Sequence, residues 1–278
     1  MAWKIRDRTF NWGEKTYLMG ILNVTPDSFS DGGQFDSVET ALIQARDMIA
    51  HGVDIIDIGG ESTRPHAESI SVEQELQRVI PVIEQLRQIT QRPISIDTTK
   101  AEVARQAIAS GADLVNDISG GTFDPQMLPT VAQLNVPIIL MHIRGNPQTM
   151  QSLTDYQDVV SEVAEFLTIQ VNKAIASGIS RSKIIIDPGI GFAKQAEQSL
   201  ELLQRLNELK ALSLPMLVGV SRKSFLRPIL HQNDPKERIW GTAAACYGAI
   251  VRGADILRVH DVRQMYDVCR VADAIERK

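Results

Sequence analysis

Eight short apolar runs recur along the chain, and nearly every one ends in a polar or charged residue. The segments between them have helical periodicity; Val160, Ala164, Leu167 and Val171, for example, are spaced to form one apolar stripe. Short apolar strands that alternate with helices are typical of a parallel sheet covered on its outer face. Eight such units predict a TIM (β/α)8 barrel. The runs span 17–22, 53–58, 93–96, 113–115, 136–141, 183–186, 215–220 and 255–259.

A doubly wound open sheet is the alternative fold. Such sheets more often contain about five or six strands, and no G-x-G-x-x-G motif opens the first helix here. Residues 1–16 precede the first barrel strand and contain Asn11-Trp12-Gly13 between two polar-apolar stretches. This pattern predicts a short N-terminal hairpin that covers the bottom of the barrel. We find no linker or low-complexity segment, and therefore expect a single domain over residues 1–278.

Local signals predict several helix ends and two lids. Glycines at positions 52, 111, 178 and 253 directly follow helical segments, where a left-handed cap is favoured. The connections 24–35 and 62–70 are long and rich in glycine, serine and proline, which predicts mobile lids after the first and second strands. The pairs with capping-box spacing are Asp36 and Glu39, Ser71 and Gln74, and Thr154 and Gln157.

Composition excludes several classes of protein. The chain is 44% hydrophobic and 23% charged, as in soluble globular proteins. Its net charge of −5 argues against nucleic-acid or anionic-membrane partners, both of which favour basic surfaces. The N-terminal residues carry charge where a signal peptide needs an apolar stretch, which predicts a cytoplasmic protein. The two cysteines, Cys246 and Cys269, lie in helical patterns and are interpreted as buried small hydrophobes, not a disulfide or metal site.

The strand ends supply candidate site residues. The carboxyl ends of all eight strands of a TIM barrel meet at one face, where Asp97, Asn116, Asp187 and Lys223 would come together. Any one of them alone could be a helix cap or a satisfied loop residue. Two carboxylates, an amide and an ammonium together suit a flat, nitrogen-rich heterocycle, because a carboxylate accepts two parallel hydrogen bonds from an amino group and a neighbouring ring N–H.

A second group of candidates is cationic. Arg258 and His260 alternate along the last strand and so point to the same side, and Lys223 and Arg64 lie in nearby loops. Because the loops after the seventh and eighth strands often bind phosphate in this fold, we interpret these residues as a phosphate site. Asn23, at the end of the first strand, could add one oxygen to a magnesium ion, although its segment could equally be a simple turn.

At these residues the chain resembles the dihydropteroate synthase family. The similarity covers all eight strand ends in order. The matching segments are MGILNVTPDSFSDGG (19–33), DIGGESTRP (57–65), IDT (96–98), VNDISGG (115–121), LMHIRG (140–145), DPGIGF (187–192), GVSRKSF (219–225) and RVH (258–260).

The resemblance implies an activity and assigns roles to individual residues. The family joins a dihydropterin diphosphate to 4-aminobenzoate with release of diphosphate, by a dissociative reaction that needs Mg²⁺, and its members are typically homodimers. The catalytic residues implied are Asp97, Lys223, Arg64 and Asn23, with Asn23 as the magnesium ligand. The implied pterin residues are Asp97, Asn116, Asp187 and Lys223, with Met141 and Phe192 packed nearby. Those near the diphosphate are Asn23, Thr63, Arg64, Arg258 and His260. The implied aminobenzoate pocket consists of Phe29, Thr63, Pro65, Phe192, Lys223 and Ser224.

Two other functions compete with this interpretation. A pterin-binding methyltransferase would share the barrel and the pterin pocket, but it would not need the diphosphate cations or the second loop. The segments 62–65 and 258–260 argue against it. A barrel that binds pterin without catalysis is the non-enzymatic alternative, and the presence of Asn23, Arg64, Lys223 and His260 argues against that.

Overall fold

The computed structural model describes residues 2–25, 34–64 and 67–277. Strands β1 (Ala2–Ile5) and β2 (Arg8–Asn11) form an antiparallel hairpin, and the other strands form one parallel sheet. Its order is β8-β7-β6-β5-β4-β3-β10-β9, where a doubly wound sheet would reverse direction. A bridge between Ile186 and Met216 brings the two ends of the sheet together, so the TIM barrel is confirmed and the open sheet is wrong. The strands are β3 (Tyr17–Asn23), β4 (Ile55–Gly59), β5 (Ile94–Asp97), β6 (Leu114–Asp117), β7 (Ile138–Met141), β8 (Ile184–Asp187), β9 (Leu217–Val218) and β10 (Ile256–Val259).

Helices cover the outside of the barrel. Outward-facing strand residues such as Leu18, Ile56 and Ile184 are fully or almost fully buried in the core between the strands and the helices. The helices are α1 (Gln34–Ala50), α2 (Val72–Ile89), α3 (Ala101–Ala109), α4 (Met127–Leu134), α5 (Val159–Ala176), α6 (Ala196–Gln204), α7 (Arg227–Leu230), α8 (Ile239–Val251) and α9 (Val262–Glu276).

The N-terminal hairpin covers the bottom of the barrel, as predicted. Phe10 is fully buried against an inward-facing apolar layer, and Trp3 and Trp12 pack at its edge. The hairpin turn lies at Arg6-Asp7, where Arg6 adopts a left-handed φ of 54°, and not at Asn11-Trp12-Gly13. Asn11 instead ends β2, and Trp12, which follows it, packs against the barrel floor. The layer consists of Tyr17, Met19, Ile55, Leu114, Ile139, Ile185, Leu217 and Ile256.

The predicted helix ends are partly confirmed. Ser71 and Gln74 form a complete capping box at the start of α2, and all four predicted glycines have positive φ. The other two boxes are wrong, because Asp36 lies inside α1 and α5 begins at Val159 with Asp158 as its N-cap. The side chain of Thr154 instead accepts a hydrogen bond from Gln195, next to α6.

Three other sequence expectations concern the cysteines, membrane-spanning helices and the two lids. Cys246 and Cys269 are both buried and free, which confirms their interpretation as buried small residues. Within the described ranges, no helix is both long and apolar enough to span a bilayer. Residues 26–33, in the first predicted lid, and 65–66, in the second, lie outside the described residues.

Candidate active site

A polar layer lies directly above the apolar floor of the barrel. Side chains on a strand alternate between its two faces, so the residue two positions beyond each floor residue also points inward. Two positions after Ile55 comes Asp57, and in the same way Asn116 comes after Leu114 and Arg258 after Ile256. The strand ends therefore place charged and amide groups in the barrel interior at its carboxyl face, where TIM barrels hold their active sites.

Arg258 is the centre of this layer. Its Nε donates to Oδ2 of Asp57 at 2.6 Å, and its Nη2 donates to Oδ2 of Asp97 at 2.6 Å. Asn116 donates to the same oxygen of Asp57 at 3.1 Å. Burial alone would lower the pKa of Arg258, but the two carboxylates outweigh it and raise that pKa. One guanidinium therefore fixes two inward-facing carboxylates, a contact that the phosphate interpretation did not include.

Asp57 is a site residue that the sequence analysis missed. Its side chain is fully buried, and Oδ1 lacks a hydrogen-bond partner among the described residues. The signal was available, because Asp57 interrupts the apolar run 53–58 at an inward position.

Burial is the largest influence on the carboxyl group of Asp97. It raises the pKa of Asp97 to about 7, against the attraction of Arg258 and with further repulsion from Asp57. The carboxyl group is therefore poised to titrate near neutral pH. Asp97 pairs with Asn116 in neighbouring strands, so two of the predicted heterocycle-binding groups lie side by side.

Asp187 and Lys223 lie close enough at the barrel mouth to attract each other electrostatically. Oδ1 of Asp187 accepts the Gly189 N–H at 2.7 Å, and Lys223 donates to the carbonyl oxygen of Ile190. Burial raises the pKa of Asp187 although Lys223 opposes the shift. Burial also lowers the pKa of Lys223 to about 8, against the attraction of Asp187. The ammonium lies 4.7 Å from the centroid of the Phe192 ring.

The apolar wall of the site comes from the loops after β6, β7 and β8. Met141 is buried and pairs with Asp187 in the neighbouring strand. Phe192 is half-buried and packs against the same cluster, so the structure brings these two predicted residues together. The buried members of the cluster are Ile118, Met141, Ile143, Met150 and Ala193.

His260 is not a cation in this arrangement. Burial and repulsion from Arg222 and Arg258 lower its pKa to about 3, so the ring is neutral at physiological pH. Its Nδ1 lies 3.0 Å from Oγ of Ser221. Its inclusion in the predicted cationic group is therefore corrected: a neutral imidazole can still donate one hydrogen bond to a phosphate. Arg64 is exposed and close enough to lower the pKa of His260 slightly.

Asn23 stands beside the polar layer. It pairs with Gly59 across β3 and β4, and Gly59 pairs with Asp97. A Cβ built on Gly59 would lie 3.5 Å from Cβ of Asp97 and 3.8 Å from Oδ1 of Asn23, so both side chains border this glycine. In the described part of the chain, no group of three or more His, Cys, Asp or Glu side chains could hold a metal. The donors fit only a cation that takes most ligands from water and substrate.

The remaining predicted residues are at the rim or undescribed. Thr63 is half-buried, and Ser224 is exposed at the start of the 3₁₀ turn Ser224–Leu226. Phe29 and Pro65 lie outside the described residues.

Comparison with known proteins agrees with this geometry. Residues 19–260 match the family model described as pterin binding enzyme. The chain belongs to the pterin-binding enzyme family. A dihydropteroate synthase from Synechocystis sp. is 61% identical over 268 residues, which cover 96% of this chain and 93% of that protein. The chain also matches the folic acid synthesis protein fol1 of Pneumocystis carinii at 51% identity, covering 94% of this chain but 36% of that longer protein.

Solved structures of pterin-binding enzymes share the whole barrel. FolP, a dihydropteroate synthase from Clostridium difficile crystallised in the presence of pteroic acid, has a TM-score of 0.92 at 44% identity, over 97% of this chain and 100% of that one. A dihydropteroate synthase from Xanthomonas albilineans with 4-aminobenzoic acid has a TM-score of 0.89 at 44% identity, over 94% and 93% of the two chains. The similarity to dihydropteroate synthases is therefore full-length in sequence and in fold.

Proposed function

We propose that this chain is a dihydropteroate synthase. It joins (7,8-dihydropterin-6-yl)methyl diphosphate to 4-aminobenzoate and releases diphosphate and 7,8-dihydropteroate. The observation that carries the proposal is the convergence of Asp97, Asn116, Asp187 and Lys223 at the barrel mouth, with Phe192 beside Lys223. This array of acceptors and donors matches the edge of a pterin, and the full-length similarity to dihydropteroate synthases supports the same activity. We further propose that residues 1–278 act as one domain.

The polar layer binds the pterin by hydrogen-bond pattern. Asp187 accepts from the 2-amino group and the adjacent ring N–H, while Asn116 and Lys223 contact the remaining ring atoms. Leaving such buried groups without partners costs about 1 to 3 kcal/mol each, so the site rejects rings with another pattern. Met141 and Phe192 pack near the ring.

The diphosphate lies at the rim, next to Asn23, Thr63, Arg64, Arg258 and His260. In this proposal Arg258 lies beside the diphosphate. It also orients Asp97 and Asp57 inside the barrel, next to the pterin. We propose that Asn23 would hold Mg²⁺ and that the bound ion would supply positive charge beside the diphosphate. The neutral His260 and the charged Arg64 donate hydrogen bonds to the leaving oxygens.

Bond breaking precedes bond formation. The C–O bond to diphosphate breaks with its electron pair on oxygen, and Asp97 stabilises the positive charge that spreads over the pterin. We propose that 4-aminobenzoate binds near Phe192, Lys223 and Ser224 together with Phe29 and Pro65. Its amine nitrogen then attacks the methylene carbon to form the C–N bond and gives up one proton to the departing diphosphate. Excluding water prevents capture of the cation as the alcohol.

The titration of Asp97 predicts a pH dependence. The kcat/KM for the pterin substrate is expected to fall as the pH falls below about 7, because protonation removes the negative charge that stabilises the cation. His260 does not cause this limb, since its pKa is about 3. The check is a pH profile of the wild-type enzyme beside Asp97→Asn, with the same substrate. A limb of the same midpoint in both enzymes would assign it to another group.

Replacing Asp187 tests the pterin edge. Asp187→Asn keeps an oxygen for the Gly189 N–H but puts a donor where the pterin also presents donors. We expect pterin binding to weaken by about a hundredfold or more in titration calorimetry, since two charge-assisted hydrogen bonds are lost. Near-normal affinity would remove Asp187 from the pterin site.

We propose a homodimer that forms through α8. Trp240, Ala244, Tyr247 and Val251 lie along one exposed stripe of this helix, and Trp240 is 82% exposed. Such a run of apolar residues is typical of an interface between subunits. We also propose a cytoplasmic location, because both cysteines are free and buried.

The dimer has a direct test. Trp240→Glu is expected to convert the protein to monomers in sedimentation equilibrium, because a charge would be buried at the interface. Ile43→Glu is the matched control, since Ile43 is 58% exposed on α1, a different helix. A wild-type monomer at micromolar concentration, or dissociation by both variants, would contradict the assignment.

A further inference from the structure

Lys194 is a buried lysine that the reaction described above does not use. Lys194 lies in the loop after β8 and is 5% exposed. Its Nζ donates to the carbonyl oxygens of Gly189 and Phe192, both at 3.0 Å, and lies 2.9 Å from Nδ1 of His142. Burial and repulsion from Lys194 and Arg144 lower the pKa of His142 to about 2, so the imidazole is neutral and its tautomer decides which of the two nitrogens in this contact donates. Burial and repulsion from Lys223 lower the pKa of Lys194 well below its ordinary value, but even the neutral amine has two N–H groups, one for each of the two carbonyl oxygens.

The loop that Lys194 holds has an unusual backbone. Gly189, Gly191 and Ala193 all have positive φ, at 66°, 80° and 49°. The loop has an internal backbone hydrogen bond, from the Phe192 N–H to the Gly189 carbonyl oxygen at 3.0 Å, and side chains bind other backbone groups of the segment. Lys223 donates to Ile190 from the substrate side, and Lys194 donates to the neighbouring carbonyls from within the protein. The two lysines therefore clamp the loop between them.

The clamp acts more on Phe192 than on Asp187. Asp187 belongs to β8 and pairs with Met141, so strand pairing already fixes it. Phe192 lies beyond the strand, and Lys194 binds its carbonyl oxygen directly. The Phe192 ring in turn packs beside Met141 and lies 4.7 Å from the Lys223 ammonium.

We propose that Lys194 is a positioning residue that fixes Phe192 at the wall of the site and thereby sets the affinity for the aromatic amine substrate. This inference rests on the proposed function, in which Phe192 borders the 4-aminobenzoate pocket. Lys194 touches neither substrate and acts through the loop backbone. Removal of the amino group leaves the Phe192 carbonyl oxygen without this donor and lets Phe192 move, while the strand-bound pterin edge stays in place.

Steady-state kinetics of Lys194→Met test the proposal. We expect the KM for 4-aminobenzoate to rise about tenfold, as for loss of one buried donor, while the pterin dissociation constant changes by less than about threefold. Lys183→Met is the matched control, because Lys183 also donates to a loop residue, Asn135, at the opposite end of β8. An unchanged KM for 4-aminobenzoate, or equal losses for both ligands, would overturn the proposal.

Two further measurements separate folding and function from positioning. Lys194→Gln retains two N–H donors, so it should fold and show a smaller rise in the same KM; no rise would overturn the proposal. Hydrogen exchange of residues 188–194 needs no activity and should speed up in Lys194→Met but not in Lys183→Met. If the wild-type enzyme makes no dihydropteroate, the proposed function fails, and unchanged exchange would separately refute the clamp.

Discussion

Arg258→Met is expected to lower the free energy of unfolding by about 3 to 5 kcal/mol and to abolish synthase activity. Arg258 holds Asp57, which is fully buried, and Asp97, which is 7% exposed in its side chain. Methionine fills a similar volume but leaves both carboxylates buried without their shared cation. They must then take up protons or draw in water, and either change alters the pterin site. Urea unfolding at pH 8 measures the loss directly.

An exposed arginine provides the control for Arg258. Arg205 also forms several ion pairs, with Asp158, Glu201 and Glu208, but these lie at the protein surface. Arg205→Met should therefore destabilise the protein far less, because water and salt already screen its partners. Equal losses for the two variants would show that the buried carboxylates do not depend on Arg258.

Gly189→Ala is expected to cost about 3 kcal/mol or more of stability and to abolish pterin binding. A Cβ at this position would lie 2.0 Å from the carbonyl oxygen of His142, closer than any real contact allows. That oxygen is backbone and cannot rotate away. The φ of 66° adds strain for any residue with a side chain. The loop after β8 must therefore shift, which moves Phe192 and takes the Gly189 N–H away from Oδ1 of Asp187.

Gly13→Ala separates strain from clash. Gly13 has a φ of 86°, but a Cβ there meets nothing within 4 Å. It should therefore show only the cost of the left-handed conformation, about 1 kcal/mol. Thermal unfolding of both variants gives the comparison. If Gly189→Ala lost no more stability than Gly13→Ala, the close approach to His142 would not constrain the loop.

Strand periodicity explains how much of the fold was predictable. Apolar runs ending in polar residues predicted all eight barrel strands, because a parallel strand covered by helices must be buried on both faces. The same rule placed Asp97, Asn116 and Asp187 at the barrel mouth, since strand ends in a TIM barrel converge. Helix starts were less predictable, because a capping box is recognised from only two residues three positions apart. At Thr154, for example, the hydroxyl accepts a hydrogen bond from Gln195 instead.

Pairwise contacts inside the barrel could not be read from the sequence. Arg258 and Asp57 are separated by about 200 residues. The sequence alone does not show whether either side chain contacts the other, water or phosphate. Nothing in the sequence distinguishes Lys194, although the structure buries it against two carbonyl oxygens and Nδ1 of His142. The neutral state of His260 likewise depends on burial and on neighbouring arginines, which spacing does not reveal.

Product formation is the most direct test of the proposed function. The wild-type protein would be incubated with (7,8-dihydropterin-6-yl)methyl diphosphate and Mg²⁺, with and without 4-aminobenzoate, while diphosphate release and 7,8-dihydropteroate are measured. We predict dihydropteroate only when both substrates and Mg²⁺ are present, with one diphosphate released for each product molecule. Pterin binding without any dihydropteroate would contradict the synthase assignment.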